Sequence, residues 1–208
     1  MFVPEVLRLL AITDDLRDGR DGLVARALSA VRGGATMVQL RLKDEDARTL
    51  VEVARALIAA LPSGTPLIVN DRVDVALAAG AAGVHVGADD LSVEAVRRIA
   101  PQTFIIGASA GSDAEATQAR GADYVGIGPV YETGSKTDAG AAIGVEQLGR
   151  LIRVCDLPAV AIGGIDASNA RAALGAGASG VAVIRAIFGA PDPEVAARAL
   201  RNALAGAS

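Results

Sequence analysis

The chain repeats one unit along its length: a short apolar run rich in β-branched residues, then a polar turn, then an alanine-rich amphipathic stretch. The apolar runs are typical of strands, and the amphipathic stretches are typical of helices. Eight such units predict an α/β protein. The strand-like runs cover residues 7–13, 36–42, 66–71, 83–87, 104–109, 124–130, 158–165 and 180–187, and helical patterns include residues 44–61, 92–99, 145–154 and 193–204.

The small size of the unit favours closure into a barrel. The 208 residues give about 26 residues per unit, which is the compact end of the eightfold β-strand-plus-helix barrel. Glycine also precedes several strands, at Gly34, Gly80, Gly121 and Gly177, where a left-handed residue would end the helix and reverse the chain. We predict an α/β fold in which residues 1–208 form a single-domain TIM (β/α)8 barrel. A doubly wound open sheet has the same local signals and is the alternative.

Composition and charge argue against several classes of partner. Aromatic residues make up 2% of the chain and the net charge is −4, so base-stacking platforms and a basic surface for polyanions are both lacking. We expect no nucleic-acid partner and no membrane partner. No export signal or membrane-length apolar run is present, so we expect a cytoplasmic protein. The chain has one cysteine and one histidine, which excludes an internal disulfide and a Cys/His zinc site.

The second strand ends in alternating polar residues. Gln39, Arg41 and Lys43 fall on one face, and the leucines between them fall on the other. If the leucines pack against helices, the three polar side chains line the mouth of the barrel, where two cations and an amide suit a diphosphate. The alternative is a solvated strand end whose charges pair with Asp44 and Glu45.

Carboxylates follow the third and fourth strands. Asn70 and Asp71 end the third run, and Asp89 and Asp90 follow the fourth. Carboxylates that converge from neighbouring strands repel one another unless a cation lies between them, and Mg²⁺ with substrate phosphate is the usual solution. The alternative is that each aspartate caps the following helix.

The sixth, seventh and eighth strands end in small and polar residues that suit a phosphate. Glycine lets backbone N–H groups approach an anion closely, and loops seven and eight of such barrels often bind phosphate. A tight turn alone is the alternative for the glycine pair 163–164. The candidates are Thr133, Ser135, Lys136, Gly164, Ile184 and Arg185.

Three further residues carry weaker signals. His85 lies mid-strand between valines and is predicted to be a hydrogen-bonded core residue rather than a base. Cys155 has no partner for nucleophilic catalysis and is predicted to be a small buried hydrophobe. Ser109 ends the fifth strand, where it either binds a ligand or begins the turn.

Taken together, the motifs resemble the thiamine phosphate synthase family, in order and over nearly the whole chain. They are QLRLK at 39–43, VND at 69–71, GVHVGADD at 83–90, GAS at 107–109, GADYVGIGP at 121–129, TGSK at 133–136, AIGGI at 161–165 and GVAVI at 180–184. The resemblance implies a transferase that acts on small phosphorylated substrates. In that family, hydroxymethylpyrimidine diphosphate loses diphosphate through a pyrimidine cation, and the ring nitrogen of hydroxyethylthiazole phosphate takes its place.

The resemblance also implies a role for each candidate residue. Diphosphate would be bound by Arg41, Lys43, Asn70 and Lys136, and Mg²⁺ by Asp71 and Asp90. The pyrimidine would face Gln39 and Ser109, and the thiazole phosphate would be held by Thr133, Ser135, Gly164, Ile184 and Arg185. Arg41, Lys43 and Lys136 are the catalytic candidates, because the departing diphosphate is the charge to be stabilised.

This chain departs from the family pattern at four positions. Leu42, Ala88, Gly111 and Arg185 stand where the family usually has Glu, Gln, His and Ser. The related thiazole tautomerase is the nearest rival, but it uses a histidine where this chain has Gly111 and lacks the paired carboxylates. A non-catalytic paralogue that binds thiamine precursors is a rival from another class. A homo-oligomer is compatible with the sequence, which does not fix the oligomeric state.

Overall fold

The computed structural model of the chain describes residues 3–134 and 140–205. Eight parallel strands form a closed barrel in sequence order, and β1 pairs with β8 to complete it. Closure confirms the predicted (β/α)8 barrel and excludes the open sheet. The strands are β1 Leu9–Ile12, β2 Met37–Leu40, β3 Leu67–Asn70, β4 Gly83–Val86, β5 Ile105–Ser109, β6 Tyr124–Ile127, β7 Ala159–Ile162 and β8 Gly180–Val183.

Helices follow the strands and surround the barrel. A short 3₁₀ helix, Pro4–Leu7, precedes β1. The α-helices are α1 Gly19–Gly33, α2 Ala47–Ala60, α3 Val73–Ala79, α4 Val93–Ile99, α5 Asp113–Gln118, α6 Gly144–Cys155, α7 Ala170–Gly175, α8 Arg185–Phe188 and α9 Pro193–Ala205. Within the described residues, no helix is both long enough and apolar enough to span a bilayer.

The strands are shorter than the apolar runs in the sequence. The first run begins in the 3₁₀ helix, and β1 ends before Thr13. The last run, residues 180–187, is wrong in its second half, because α8 begins at Arg185. Ile187 and Phe188 are buried in the layer between barrel and helices, so an apolar pattern continues although the backbone has become helical.

Glycines end α1 and α3 in the left-handed conformation, as the sequence predicted. Gly34 directly follows α1 with φ 113°, and Gly80 directly follows α3 with φ 76°. Gly121 and Gly177 also have positive φ, at 86° and 102°, but they lie beyond the ends of α5 and α7. The cap residues of these two helices are right-handed alanines, Ala119 and Ala176, so the predicted glycine cap is wrong there. A side chain would strain this conformation, so glycine allows the chain to turn sharply into the next strand.

Two apolar layers follow from the alternation of side chains along each strand. In β2, Val38 and Leu40 pack outward against the helices, whereas Met37 faces the barrel interior with residues such as Ile68 and Tyr124. Burying a side chain of this size stabilises the fold by about 1.5–3 kcal/mol. The alternation leaves the last inward-facing positions of each strand at the open end of the barrel, where the polar residues lie.

Candidate active site

The carboxyl ends of the strands enclose a cavity of about 860 Å³, lined by the ends of β5 to β8 and the loops that follow them. A much smaller space of about 30 Å³ adjoins it on the side of β1 to β4. The two share residues of β5 to β8, including Ser109 and Gly126. The site therefore has a wide compartment and a narrow one, on opposite sides of a common wall.

The narrow compartment contains the polar end of β2. Gln39 is only 4% exposed, and its Nε2 donates a hydrogen bond of 2.7 Å to Oδ1 of Asn70, the last residue of β3. Arg41 lines the same space. Leu40 and Leu42 are buried in the layer of helices, which is the division of faces that the alternation predicted.

Among the described residues, Arg41 forms no ion pair at the surface. Its Nε is buried and has no hydrogen-bond partner within the described residues. In that part of the chain, no carboxylate forms a salt bridge with it, so the predicted alternative of pairing with Asp44 or Glu45 does not hold for this arginine. A buried guanidinium nitrogen without a partner is costly, and an anion entering the compartment would satisfy it. Lys43, two residues further on, is exposed.

The two carboxylates lie after neighbouring strands. Asp71 has φ 62°, a left-handed conformation that is uncommon outside glycine, and its N–H donates to the carbonyl of His85 on β4. Asp90 is exposed, and its Oδ2 accepts the Gly87 N–H at 2.7 Å. Neither residue caps a helix, because Arg72 and Ser92 occupy the cap positions of α3 and α4.

The carboxylates of Asp71 and Asp90 are the type of ligand that Mg²⁺ prefers. Mg²⁺ is commonly bound by one or two carboxylates and completes its coordination with substrate phosphates and water. Asp71 and Asp90 supply two carboxylates at the end of the barrel where Arg41 has a buried Nε without a partner in the described residues. Within the described residues, there is no cluster of three or more His, Cys, Asp or Glu side chains that would hold a metal without a substrate.

Glycines and small side chains line much of the wide compartment, together with apolar residues and the charged side chains of Glu115, Glu132, Asp166 and Arg185. Thr133, Gly164, Ile184 and Arg185 all lie on its wall. Gly163 and Gly164 both have positive φ, at 94° and 64°, and Asn169 donates from its side chain to the carbonyl of Gly164 at 2.9 Å. Among the described residues, the N–H groups of Gly164, Ile184 and Arg185 donate no hydrogen bond. These free donors suit an anion.

Arg185 adds a cation to this wall. Its guanidinium lies close to Gly134, in the loop after β6, where a Cβ would be 3.6 Å from the nearest guanidinium nitrogen. No hydrogen bond or ion pair within the described part of the chain engages it. Ser135 and Lys136, which the sequence also assigned to this site, lie outside the described residues.

Three hydrogen-bonding side chains, His85, Ser109 and Tyr124, lie in a row on the wall of the narrow compartment. Nε2 of His85 is 3.3 Å from Oγ of Ser109, and Nδ1 is 3.2 Å from the Tyr124 hydroxyl. A Cβ at Gly107 or at Gly126 would crowd the His85 ring, so these two glycines make room for it. His85 is therefore hydrogen-bonded inside the barrel, and Ser109 is held at the junction of the two compartments.

Comparison with known proteins shows similarity to thiamine-phosphate synthases over nearly the whole chain. The family model described as thiamine monophosphate synthase matches residues 9–187. A thiamine-phosphate synthase from Roseiflexus sp. strain RS-1 is 49% identical over 94% of this chain and 84% of its own length. One from Azorhizobium caulinodans is 48% identical over 96% of this chain and 95% of its own. A solved thiamine phosphate pyrophosphorylase from Pyrococcus furiosus is 40% identical, covers 98% of both chains and superposes with a TM-score of 0.88.

The chain belongs to the thiamine monophosphate synthase family. The resemblance that the motifs carried is thereby confirmed. Eight of the residues that the family resemblance assigned to the site line the two compartments. They are Gln39, Arg41, Asn70, Ser109, Thr133, Gly164, Ile184 and Arg185. Asp71, Asp90 and Lys43 follow the strands at the same end of the barrel but do not line these cavities.

Sequence reasoning missed two residues of the site in this thiamine monophosphate synthase family member. Glu115 lines the wide compartment, and its Oε2 accepts the Gly111 N–H at 2.8 Å. Thr13, directly after β1, is completely buried and bonds to the backbone of Arg41. The signal for Glu115 was present, because Ser112 followed by Glu115 is the capping-box pattern at the start of α5.

Cys155 has the environment expected of an unreactive residue. It ends α6, is half-buried and packs against the outer core. Burial raises the pKa of its thiol, with a smaller contribution from the charge of Asp113. A raised pKa keeps the thiol protonated at neutral pH, so the residue is a poor nucleophile.

Proposed function

We propose that this chain is a thiamine-phosphate synthase, a transferase that condenses hydroxymethylpyrimidine diphosphate with hydroxyethylthiazole phosphate. The observation that carries this proposal is identity of 48–49% to thiamine-phosphate synthases over nearly the full chain. The comparisons support this activity and give no support to a tautomerase. In the reaction, the bond between the pyrimidine methylene carbon and the diphosphate oxygen breaks, and the oxygen keeps the electron pair. The thiazole nitrogen then donates its lone pair to the methylene carbon, which gives thiamine phosphate and diphosphate.

The narrow compartment supports a role in binding the diphosphate substrate. The Nε of Arg41, which has no partner in the described residues, is a donor for a phosphate oxygen, and Asn70 lines the same compartment with its amide oriented by Gln39. We assign the diphosphate to Arg41, Lys43, Asn70 and Lys136, and the pyrimidine ring to Gln39 and Ser109. Charge on the leaving group increases as the bond breaks, so cations held at this point favour departure.

Mg²⁺ belongs to the proposal, with Asp71 and Asp90 as its protein ligands. When bound, it would neutralise charge on the diphosphate and make it a better leaving group. The two aspartates follow β3 and β4, next to the polar end of β2. The backbone of Asp71 is held by the hydrogen bond from its N–H to the carbonyl of His85.

The wide compartment supports a role for the phosphate of the second substrate. We assign this phosphate to Thr133, Ser135, the backbone at Gly164 and Ile184, and Arg185. The N–H groups of Gly164 and Ile184 and the guanidinium of Arg185, which have no partner among the described residues, are donors on one wall. Ser109 lies where the compartments join, so the two substrates would meet beside it.

The direct test combines purified protein with both substrates and Mg²⁺, with and without a chelator, and measures thiamine phosphate and released diphosphate. We expect product that depends on Mg²⁺. Folded protein that forms no product would overturn the proposal, and isomerisation of the thiazole substrate alone would favour the tautomerase. Asp90→Ala is expected to lose most turnover while the protein stays folded, since a change at an exposed residue shifts stability by less than about 1 kcal/mol. Lys136→Ala is also expected to lose most turnover. The cytoplasmic location, the absence of nucleic-acid partners and a homo-oligomeric state stay predictions.

A further inference from the structure

Thr13 is an unusual residue in the core of the barrel. It is completely buried, and in the described part of the chain the only other buried side chains with a polar group are Gln39 and Tyr124. Thr13 directly follows β1, and its hydroxyl lies against the backbone of Arg41, directly after β2. Oγ1 accepts the Arg41 N–H at 2.8 Å and donates to the Arg41 carbonyl at 3.2 Å. One hydroxyl therefore satisfies both backbone groups of Arg41.

The register of the two strands shows what this hydroxyl replaces. Ile12 pairs with Gln39, and the Thr13 N–H donates to the Gln39 carbonyl at 3.0 Å. If the parallel ladder continued, the Arg41 N–H would donate to the backbone carbonyl of Thr13, and the N–H of residue 15 would donate to the Arg41 carbonyl. Both bonds are made by the Thr13 side chain instead. The backbone of Arg41 thus stays in register although β1 has ended.

The chain leaves the ladder at this point to reach a helix. Asp14 forms an ion pair of 2.6 Å with Arg26 of α1, and both side chains are 14% exposed. The Arg26 guanidinium lies over the Phe188 ring, 5.6 Å from its centre. These contacts pull residues after Thr13 away from β2. Without the Thr13 hydroxyl, the backbone of Arg41, directly after β2, would have no hydrogen bond to the segment that follows β1.

We propose that Thr13 is a positioning residue for the anion-binding Arg41. By holding both backbone groups of Arg41, it fixes the start of a long side chain whose Nε is buried and without a partner in the described residues. A fixed starting point lowers the entropy that the side chain loses when it binds a phosphate. The inference rests on the proposed function, and it assigns Thr13 no contact with the substrate.

The chain offers a matched control at the other end of the same strand pair. Thr36 precedes β2, and its Oγ1 accepts the Leu9 N–H at 2.9 Å and donates to the Val6 carbonyl at 2.8 Å. Its hydroxyl therefore bridges backbone groups as the Thr13 hydroxyl does, but at the closed end of the barrel. Replacing either threonine with valine removes the hydrogen bonds of its hydroxyl and keeps the shape of the side chain.

The experiment compares Thr13→Val, Thr13→Ser and Thr36→Val. For each, KM is measured for both substrates, and Kd is measured calorimetrically for inorganic pyrophosphate with Mg²⁺. We expect Thr13→Val to raise the pyrophosphate Kd and the KM of the diphosphate substrate about tenfold, the size of one lost charged hydrogen bond. The KM of the thiazole phosphate should stay unchanged. Thr13→Ser retains the hydroxyl and should bind like the wild type, and Thr36→Val should lose stability without losing pyrophosphate affinity.

A double variant tests whether Thr13 acts through Arg41. In an Arg41→Ala background, Thr13→Val should cause no further loss of pyrophosphate affinity, because the side chain that it positions is gone. An additive loss would overturn the inference, and so would equal effects of Thr13→Val and Thr36→Val on Kd. If Thr13→Val does not fold, Thr13→Ala is measured in its place. Wild-type protein that binds pyrophosphate but forms no thiamine phosphate would contradict the proposed function and leave this inference standing.

Discussion

Gln39 and Asn70 are joined across neighbouring strands by a hydrogen bond of 2.7 Å from Nε2 of Gln39 to Oδ1 of Asn70. Gln39 is buried in the barrel, and Asn70 ends β3 at the narrow compartment. The bond fixes which side of the Asn70 amide faces Gln39. The Asn70 NH₂ group is thereby left as a donor for an anion.

Gln39→Met should weaken both binding and folding. Methionine has nearly the same shape but cannot donate, so the Asn70 oxygen would lose its partner at a cost of about 1–3 kcal/mol in unfolding free energy. The released amide should also raise the KM of the diphosphate substrate. Urea unfolding and steady-state kinetics measure the two effects. A stability loss without a change in KM would show that the bond serves folding only.

Asp71→Asn and Asp90→Asn should each impair the response to Mg²⁺ while the fold is kept. Asparagine tolerates the left-handed conformation at position 71, and at position 90 it retains an oxygen that can accept the Gly87 N–H. We expect the Mg²⁺ concentration for half-maximal activity to rise roughly tenfold or more, since one carboxylate ligand is lost.

The backbone conformation supplies a control for the Mg²⁺ experiment. Asp71→Ala removes the carboxylate as well, but alanine is strained at positive φ by about 1–2 kcal/mol. It should therefore lose more thermal stability than Asp71→Asn and have the same metal defect. If Asp71→Asn and Asp90→Asn both respond to Mg²⁺ like the wild type, these aspartates are not ligands of the metal.

The face of the barrel that carries Gln39 and Arg41 could be predicted because strand alternation depends only on local sequence. The helix ends at Gly34 and Gly80 could be predicted for the same kind of reason, since positive φ favours glycine. The resemblance to a family then supplied roles that composition and spacing alone did not give. These successes concern residues whose environment is set by their own neighbours in the chain.

The residues that sequence reasoning missed depend on contacts between distant segments. The apolar run that includes Thr13 gives no sign that β1 stops one residue earlier and that the hydroxyl then replaces two ladder bonds. Likewise, His85 meets Tyr124 only because Gly107 and Gly126 leave room between strands. Such pairings follow from the register of the closed barrel, which no single segment encodes.

Tyr124→Phe should change the stability of the protein at alkaline pH. Burial raises the pKa of the Tyr124 phenol above its usual value of 10.0, with a smaller contribution from Asp123. Below pH 10 the phenol is neutral in both the folded and the unfolded chain, so the stability is fully present. Above that pH the unfolded chain ionises first, and stability falls as the pH rises towards the folded pKa. Tyr124→Phe should remove this part of the slope in unfolding free energy.

Tyr131→Phe is the matched control for the alkaline experiment, because Tyr131 is half-exposed in the loop after β6. Chemical unfolding between pH 8 and about pH 11 spans the usual tyrosine pKa. If the unfolding free energy falls with pH equally steeply in wild type and Tyr124→Phe, the phenol ionises as readily in the folded barrel as in the unfolded chain.

Arg185→Ser should selectively weaken the second substrate. Arg185 lies on the wall of the wide compartment with no partner in the described residues, and serine is the residue that the family resemblance implies at this position. A hydrogen bond to a charged group contributes about 1.5–3 kcal/mol, so its loss should raise the KM of the thiazole phosphate roughly tenfold or more. The KM of the diphosphate substrate should stay unchanged.

Varying the ionic strength distinguishes two explanations of the Arg185→Ser effect, the loss of an ion pair with the substrate phosphate and a change in the shape of the compartment. Salt screens exposed charges, so the difference between wild type and Arg185→Ser should shrink as salt is raised. Arg171→Ser, on α7, removes an exposed arginine that does not line the cavity and controls for the change in net charge. A lower KM in Arg185→Ser would mean that the guanidinium obstructs the thiazole rather than binding its phosphate, and would remove Arg185 from the phosphate site.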